Sequence, residues 1–201
     1  MSGNDTLSAN SRYSISFDDR FHGQSGNDVL RGQQGRDSLF GGTGNDHVDG
    51  GDEADLVRGG AGNDTVIGGL GRDTAVLGTY ADLWLDDTQA GAFGADRVYA
   101  GAGRDTLNAA GGDDKMTGGF GDDTFVFAAT IGDMVITDYT LGEDALQVAN
   151  ALWGGELTQA YLDSIAAVDG GDLLLTFAAD SSLRLQGIAS TTGLLDDITP
   201  F

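Results

Sequence analysis

Asp28, Asp37, Asp46, Asp55, Asp64 and Asp73 follow one another at intervals of nine residues, and Asp82 keeps the interval once more. Asp96, Asp105, Asp114 and Asp123 repeat it in a second run. A carboxylate can act as acid, base, nucleophile or metal ligand, and the spacing chooses among these. Acid/base work needs a raised pKa, which carboxyls in glycine-rich turns are not expected to have. Like carboxylates in like glycine-rich turns simply repel unless a cation lies between them. A hard cation takes about six to eight oxygens at about 2.3–2.6 Å, from carboxylates and backbone carbonyls alike. Cysteine is absent and His22 and His47 are the only histidines, so the repeat offers soft transition metals neither thiolate nor imidazole. Calcium is the expected occupant.

Other chemistries are poorly supplied. Neither histidine belongs to an H-E-x-x-H pair and there is no G-x-S-x-G elbow, which argues against a metalloprotease or a lipase centre. Adjacent carboxylates such as Asp86 with Asp87, or Asp122 with Asp123, have the composition of a glycosidase pair, but glycine-rich turns suit ligation or solvation better. No enzymatic activity is expected. The balance of 32 acidic against 10 basic residues, a formal charge of −22, would repel nucleic acid and anionic membrane surfaces. Neither a secretory leader nor a run of 18 apolar residues is present, so membrane insertion is not expected. Arg36, Arg72 and Arg104 each precede a repeat aspartate and read as edge charges.

The elements that must position these aspartates follow from the same period. Two residues after them stand Leu30, Leu39, Val48, Val57, Val66 and Ala75, then Val98, Leu107, Met116 and Phe125 in the second run. Each unit reads as a six-residue polar turn and a three-residue strand with one buried side chain. So short a strand, about 10 Å, is stable only as part of a stack. Two units then make one flattened coil, strands 18 residues apart pair in parallel, and aspartates gather in two columns. Asp28, Asp46 and Asp64 line one edge, and Asp37, Asp55 and Asp73 the other. The intervals from Asp5 to Asp28 and from Asp73 to Asp96 are both 23, and "YSISFDDRFHGQSGND" aligns with "ADLWLDDTQAGAFGAD" at an offset of 68. The chain therefore carries a duplicated module with one longer connection in each copy.

The units "GGTGNDHVD", "GGAGNDTVI", "GGLGRDTAV" and "GGFGDDTFV" resemble the nonapeptide repeats of the RTX (repeats-in-toxin) family. The resemblance implies an all-β, right-handed parallel β-roll with calcium in the turns. For the turns of Asp28 and Asp46 it implies both carboxylates, the carbonyls of Gln24 and Gly26 below, and those of Gly41 and Thr43 above. Carried along the chain, it names Gln33, Gly35, Gly50, Asp52, Gly59, Ala61, Gly68, Leu70, Ala92, Gly94, Gly101, Gly103, Ala109, Gly111, Gly118 and Phe120. Gly42, Gly44, Gly51 and Glu53 belong to the same turns. About six to nine calcium sites are expected. Gln33, Ala100, Ala109 and Ala110 replace glycines, and Glu53 stands where glycine belongs, so that its turn is strained or gains a third carboxylate.

Beyond residue 127 the rhythm changes. "DMVITDY", "ALQVA", "DLLLTF" and "SLRLQGI" read as strands around one helix, "LTQAYLDSIAAV", with Leu157, Tyr161, Ile165 and Val168 on one face. We expect a roll over 1–127, as two modules of about 5–72 and 73–127, closed by a β-rich segment over 128–201. Asp133, Asp138, Glu143 and Asp144 resemble a further acidic loop of the family. Trp84 and Trp153 read as packing residues. The resemblance further implies a secreted, extracellular protein exported unfolded by type I secretion machinery, through an uncleaved signal within "TTGLLDDITPF". The expected partners are calcium and that machinery. Two alternatives stay open: a cell-surface or polysaccharide-binding module, and the terminal module of a larger extracellular enzyme.

Overall fold

The computed structural model describes residues 3–8, 17–86, 94–109, 111–127, 132–153, 157–178 and 181–201. Ala92, Ala110 and the side chain of Trp153, all singled out above, lie outside the described residues. The strands are β1 (Thr6–Ser8), β2 (Arg20–Ser25), β3 (Val29–Gln34), β4 (Ser38–Thr43), β5 (His47–Asp52), β6 (Leu56–Ala61), β7 (Thr65–Leu70), β8 (Thr74–Thr79) and β9 (Leu83–Leu85). They continue as β10 (Arg97–Ala102), β11 (Thr106–Ala109), β12 (Lys115–Phe120), β13 (Thr124–Phe127), β14 (Asp133–Ile136) and β15 (Ala145–Val148). Odd-numbered strands form one parallel sheet, β1-β3-β5-β7-β9-β11-β13-β15, and even-numbered strands from β2 to β14 form the other. The chain is thus a parallel β-roll.

The period fixes the register. Leu30 pairs with Val48 and Val48 with Val66 in the odd sheet, and Leu39 with Val57 and Val57 with Ala75 in the even sheet. Each is 18 residues from its partner. Leu30, Leu39, Val48, Val57, Val66 and Ala75 are fully buried, and so, within 1%, are Val98, Leu107, Met116 and Phe125. Flanking residues alternate outward, as strand geometry requires.

One expectation about local structure is corrected. The regular strands are six residues long, not three, and the turns between them are three residues, ending on the aspartate. The strand runs on through the glycine pair because the neighbouring coil supplies ladder partners there, as in Gln24 with Gly42 and Ser25 with Thr43. Nothing in side-chain alternation announces that extension. The longer connections loop out without breaking the stack: β1 pairs with β3, and β8 with β10, in unchanged phase.

Both sheets continue past residue 127, where β14 pairs with β12 and β15 with β13. Each sheet then takes one more parallel strand before the stacking stops. Strand β14 is flanked by β18 (Ser181–Leu185), which pairs antiparallel with β17 (Asp172–Ala178), itself antiparallel to β16 (Ala166–Asp169). The odd sheet ends on β19 (Ile198–Pro200), laid against β15. This covers strand edges that an open stack would expose. The expected helix is shorter than its apolar period: α2 spans Gln159–Ile165, capped by the Thr158 hydroxyl, which accepts the Tyr161 N–H. Ala166, Ala167 and Val168 belong instead to β16, where pairing with β17 prevails over helical periodicity, and Val168 is 58% exposed. Two further short helices are α1 (Asn150–Trp153) and α3 (Leu194–Asp197). Among the described residues no helix is long and apolar enough to cross a membrane.

Candidate metal centre

The turn aspartates are joined in two hydrogen-bonded columns. In the regular steps the N–H of one aspartate donates to the Oδ1 of the aspartate 18 residues later: Asp28 to Asp46 at 2.8 Å, Asp46 to Asp64 at 2.8 Å and Asp64 to Asp82 at 2.8 Å. The opposite edge repeats this from Asp37 to Asp55 at 2.7 Å and from Asp55 to Asp73 at 2.8 Å. Steps of 23 residues, Asp73 to Asp96 and Asp82 to Asp105, carry the columns across the long connection at the same 2.8 Å. Asp96 then donates to Asp114 and Asp105 to Asp123. The two columns of the second run are therefore direct continuations of the first.

Three members escaped the sequence reading as column residues. Asp5 donates to Asp28, Asp19 to Asp37, and Asp123 to Asp144. Asp19 stands nine residues before Asp28 and was on the beat. Asp5 was signalled only by the interval of 23, and Asp144, 21 residues after Asp123, by nothing periodic.

The other carboxylate oxygen defines the site. Oδ2 of Asp5, Asp28, Asp37, Asp46, Asp55, Asp64, Asp73, Asp82, Asp96 and Asp105 is buried with no hydrogen-bond partner. Leaving so many buried acceptors unsatisfied is costly. Burial pushes the Asp55, Asp73 and Asp82 carboxyls up to about 7, and those of Asp96 and Asp114 up to about 8, against the opposing pull of a backbone N–H on each. Asp64 and Asp123 rise to about 6 for the same reason. These groups favour the proton, or a cation in its place.

Carbonyls converge on the same oxygens. A Cβ built on Gly41 would come 2.5 Å from Asp46 Oδ2 and 2.6 Å from Gly59 O. On Gly50 it would meet Asp55 Oδ2 and Gly68 O, each at 2.5 Å. Asp28 Oδ2 with Gly41 O, and Asp37 Oδ2 with Gly50 O, make the same pairing around Gly23 and Gly32. The absent side chain leaves a cradle lined by carboxylate and carbonyl oxygen, which fits a hard cation by donor type. The second glycine of the pair and the one after it shape the backbone instead, since Gly42 and Gly44 hold φ of 125° and 123°, which L residues rarely adopt.

Other carbonyls named by the resemblance are already engaged. Thr43 O accepts the Gly26 N–H, Ala61 O the Gly44 N–H, and Phe120 O the Gly103 N–H. Gln24 O and Gly26 O abut the next coil at Gly42 and Gly44. Gln33, at φ 80°, and Glu53, at φ 76°, take the left-handed conformation despite their side chains, and Glu53 Oε2 accepts the Gly35 N–H at 2.6 Å. Ala109, like Ala100, faces inward from its strand. Gly118 N–H donates to Asp138 and Gly111 N–H to Asp86. Asp52 accepts from Gln34, and Leu70 ends β7. Gly94, Gly101 and Gly103 present their carbonyls to Gly112, Gly119 and Gly121 above.

A roll with buried, unpartnered carboxylates ranked along its turns is a metal-binding repeat protein. Residues 13–48, 40–75 and 91–125 match the RTX calcium-binding nonapeptide repeat (4 copies). The chain carries RTX hemolysin-type calcium-binding repeats over 13–75 and 91–125. It is similar in structure to the AlgE6R3 subunit of the Azotobacter vinelandii mannuronan C5-epimerase, at 26% identity and a TM-score of 0.49 over 75% of this chain and 80% of that one. It is also similar to the extracellular lipase LipA from Serratia marcescens, at 17% identity and a TM-score of 0.36, over 98% of this chain and 38% of that one. No curated protein gives a match.

Proposed function

We propose that this is a secreted β-roll whose folding is driven by extracellular calcium. The observation that carries the reading is the row of buried Oδ2 atoms without partners, repeated at each turn aspartate from Asp28 to Asp105. Calcium would be held between successive turns by these oxygens and by carbonyls such as those of Gly41, Gly50, Gly59 and Gly68, and would supply the positive charge that the columns lack. About six to nine ions would offset about 12 to 18 of the negative charges. Binding free energy then becomes folding free energy. In this reading residues 1–127 are the metal-dependent roll and 128–201 the closing segment, with "TTGLLDDITPF" as the type I export signal. Cytosolic calcium would leave the chain unfolded for export, and calcium near 10⁻³ M, on the order of that bound by extracellular modules, would fold it. Circular dichroism during a calcium titration tests this. A cooperative gain of β signal is expected, with magnesium a poor substitute; a fully β-rich spectrum in excess chelator overturns it.

A second reading concerns the outer face of the even sheet. His22 stacks on Phe40 with ring centroids 4.5 Å apart, and Arg20 and Arg58 lie 4.9 and 5.6 Å from the Phe40 centroid. Arg97 pairs with Lys115 farther along the same face, where Tyr99 is 44% exposed. Arg20, Arg58, Arg97 and Lys115 thus gather here, out of only 10 basic residues. Aromatic and cationic groups on one ladder suit an acidic polysaccharide, with the roll presenting it rather than cutting it. Retention on a polyuronate but not on a neutral glucan, in calcium and at low salt, is expected to be lost in Arg58→Ala/Arg97→Ala.

A further inference from the structure

We infer that Asp86, Asp96 and Asp114 form a three-carboxylate cation site, unlike the two-aspartate steps elsewhere, and that it binds the most tightly held ion of the roll. The inference rests on the calcium reading of the turns and deepens it at one place. It begins with register. Leu83, Trp84 and Leu85 pair with Thr65, Val66 and Ile67, so Asp86 falls at the station of Gly68. That station belongs to the first glycine of a unit, where Gly41 and Gly50 leave the cradle open for carboxylate and carbonyl oxygen. Asp86 fills it with a third carboxylate. The interval from Asp86 to its turn aspartate, Asp96, is ten residues against five from Gly68 to Asp73, so the connection is long enough to admit the extra side chain.

Asp86, Asp96 and Asp114 are 7%, 2% and 3% exposed, and each offers an oxygen within 4.8 Å of the others. Oxygens around one calcium, at about 2.3–2.6 Å from it, lie no more than about 5 Å apart. Asp96 Oδ2 is buried without a hydrogen-bond partner, while Asp96 Oδ1 accepts the Asp73 N–H and Asp114 Oδ1 the Asp96 N–H. Backbone donors therefore orient the pair, the Asp86 and Asp96 carboxyls lie within side-chain hydrogen-bonding reach of each other, and Asp96 Oδ2 is left for the ion. Asp86 is itself oriented by the Gly111 N–H, 3.4 Å from its Oδ2. Three charges about one ion bind a divalent cation more strongly than two, and a trivalent one more strongly still.

The duplicated module supplies an internal control. Asp18 occupies the place of Asp86 at the offset of 68, yet it is exposed and its Oδ1 accepts the Arg36 N–H at 2.9 Å. One copy of the module has built the site and the other has not.

Terbium is the probe, because it takes the same oxygen ligands as calcium and is excited by a nearby indole. Trp84 in β9 is buried and stands two residues before Asp86, which follows the strand's last residue and is buried as well. The full chain, folded in millimolar calcium, is titrated with terbium, and calcium isotherms are measured in parallel on Asp86→Asn, Asp86→Gly and Asp18→Asn. Asp86→Gly restores the residue of the regular unit, so its fold is preserved even if Asp86→Asn proves unstable. We expect the tightest calcium event to weaken about tenfold or more in both Asp86 variants, with Trp84-sensitised emission falling, and Asp18→Asn to match the parent. Tight binding and emission unchanged in Asp86→Gly overturn the site. Failure of the parent chain itself to take up calcium overturns the general reading of the turns along with it.

Discussion

Asp64 and Asp144 stand in the same column, and their first oxygens do the same thing: Asp64 Oδ1 accepts the Asp46 N–H and Asp144 Oδ1 the Asp123 N–H. Their second oxygens differ. Asp64 Oδ2 is buried without a partner, whereas Asp144 Oδ2 accepts the Thr140 N–H at 2.8 Å. The neighbouring loop is tied further, since Tyr139 donates its hydroxyl to the Asp144 carbonyl and Gly142 its N–H to Asp197. Asp138 likewise spends both oxygens on the Gly118 and Gly119 N–H groups. At its closing end the chain satisfies its own carboxylates; along the roll it leaves the second oxygen of the turn aspartates without a partner. A three-residue glycine turn has too few donors to do otherwise, while the longer loop over 137–144 can fold back and supply them.

Exchanging the second oxygen for an amide is the sharpest way to break this contrast. Asp64→Asn keeps an acceptor for the Asp46 N–H but removes the charge, and is expected to lower the bound calcium and raise the calcium midpoint of folding about tenfold or more. Mass spectrometry of the loaded protein counts the ions; an unchanged count would show that Asp64 Oδ2 does not face a metal.

Acid is the next lever. Folded-state carboxyls raised to about 7 or 8 by burial, at Asp55, Asp73, Asp82, Asp96 and Asp114, hold protons more tightly than in the unfolded chain. Their contribution to metal-free stability is fully present below about pH 4 and is lost as pH rises through about 7 to 8. The chelated chain should therefore gain β structure on acidification from pH 8 to about 4.5, as read by circular dichroism. A spectrum indifferent to pH over that window would mean that protons cannot substitute for the missing charge.

The smallest effect on calcium binding is expected at the closing end. Asp144→Asn sets an amide N–H against the Thr140 N–H and should cost about 1–3 kcal/mol of stability in saturating calcium, measured by urea unfolding. The calcium count should not change. Loss of an ion here would erase the distinction between the two ends of the column.

Much of this was written in the chain's period. Nine residues between aspartates and an apolar residue two places on dictate strands 18 apart, a thin core of Leu30, Val48, Val57 and Met116, and carboxylates ranked along the edges, because two units close one coil. The chemistry of the donors, oxygen without sulfur, was equally a matter of composition.

Folding alone decided the rest, wherever the partner lies in another coil and leaves no local signature. Strands run six residues rather than three because the ladder is completed by a neighbour at Gly42 or Gly51. Asp5 and Asp144 join their column across 23 and 21 residues because an extra loop costs little once the strands on either side are paired. Ala166–Asp169 leaves its helical period for a hairpin with β17. Asp86 and Asp18 share a module position in sequence, yet one is buried against two other carboxylates and the other is exposed at a backbone N–H. Only the packing of successive coils, which sets what each residue faces, separates them.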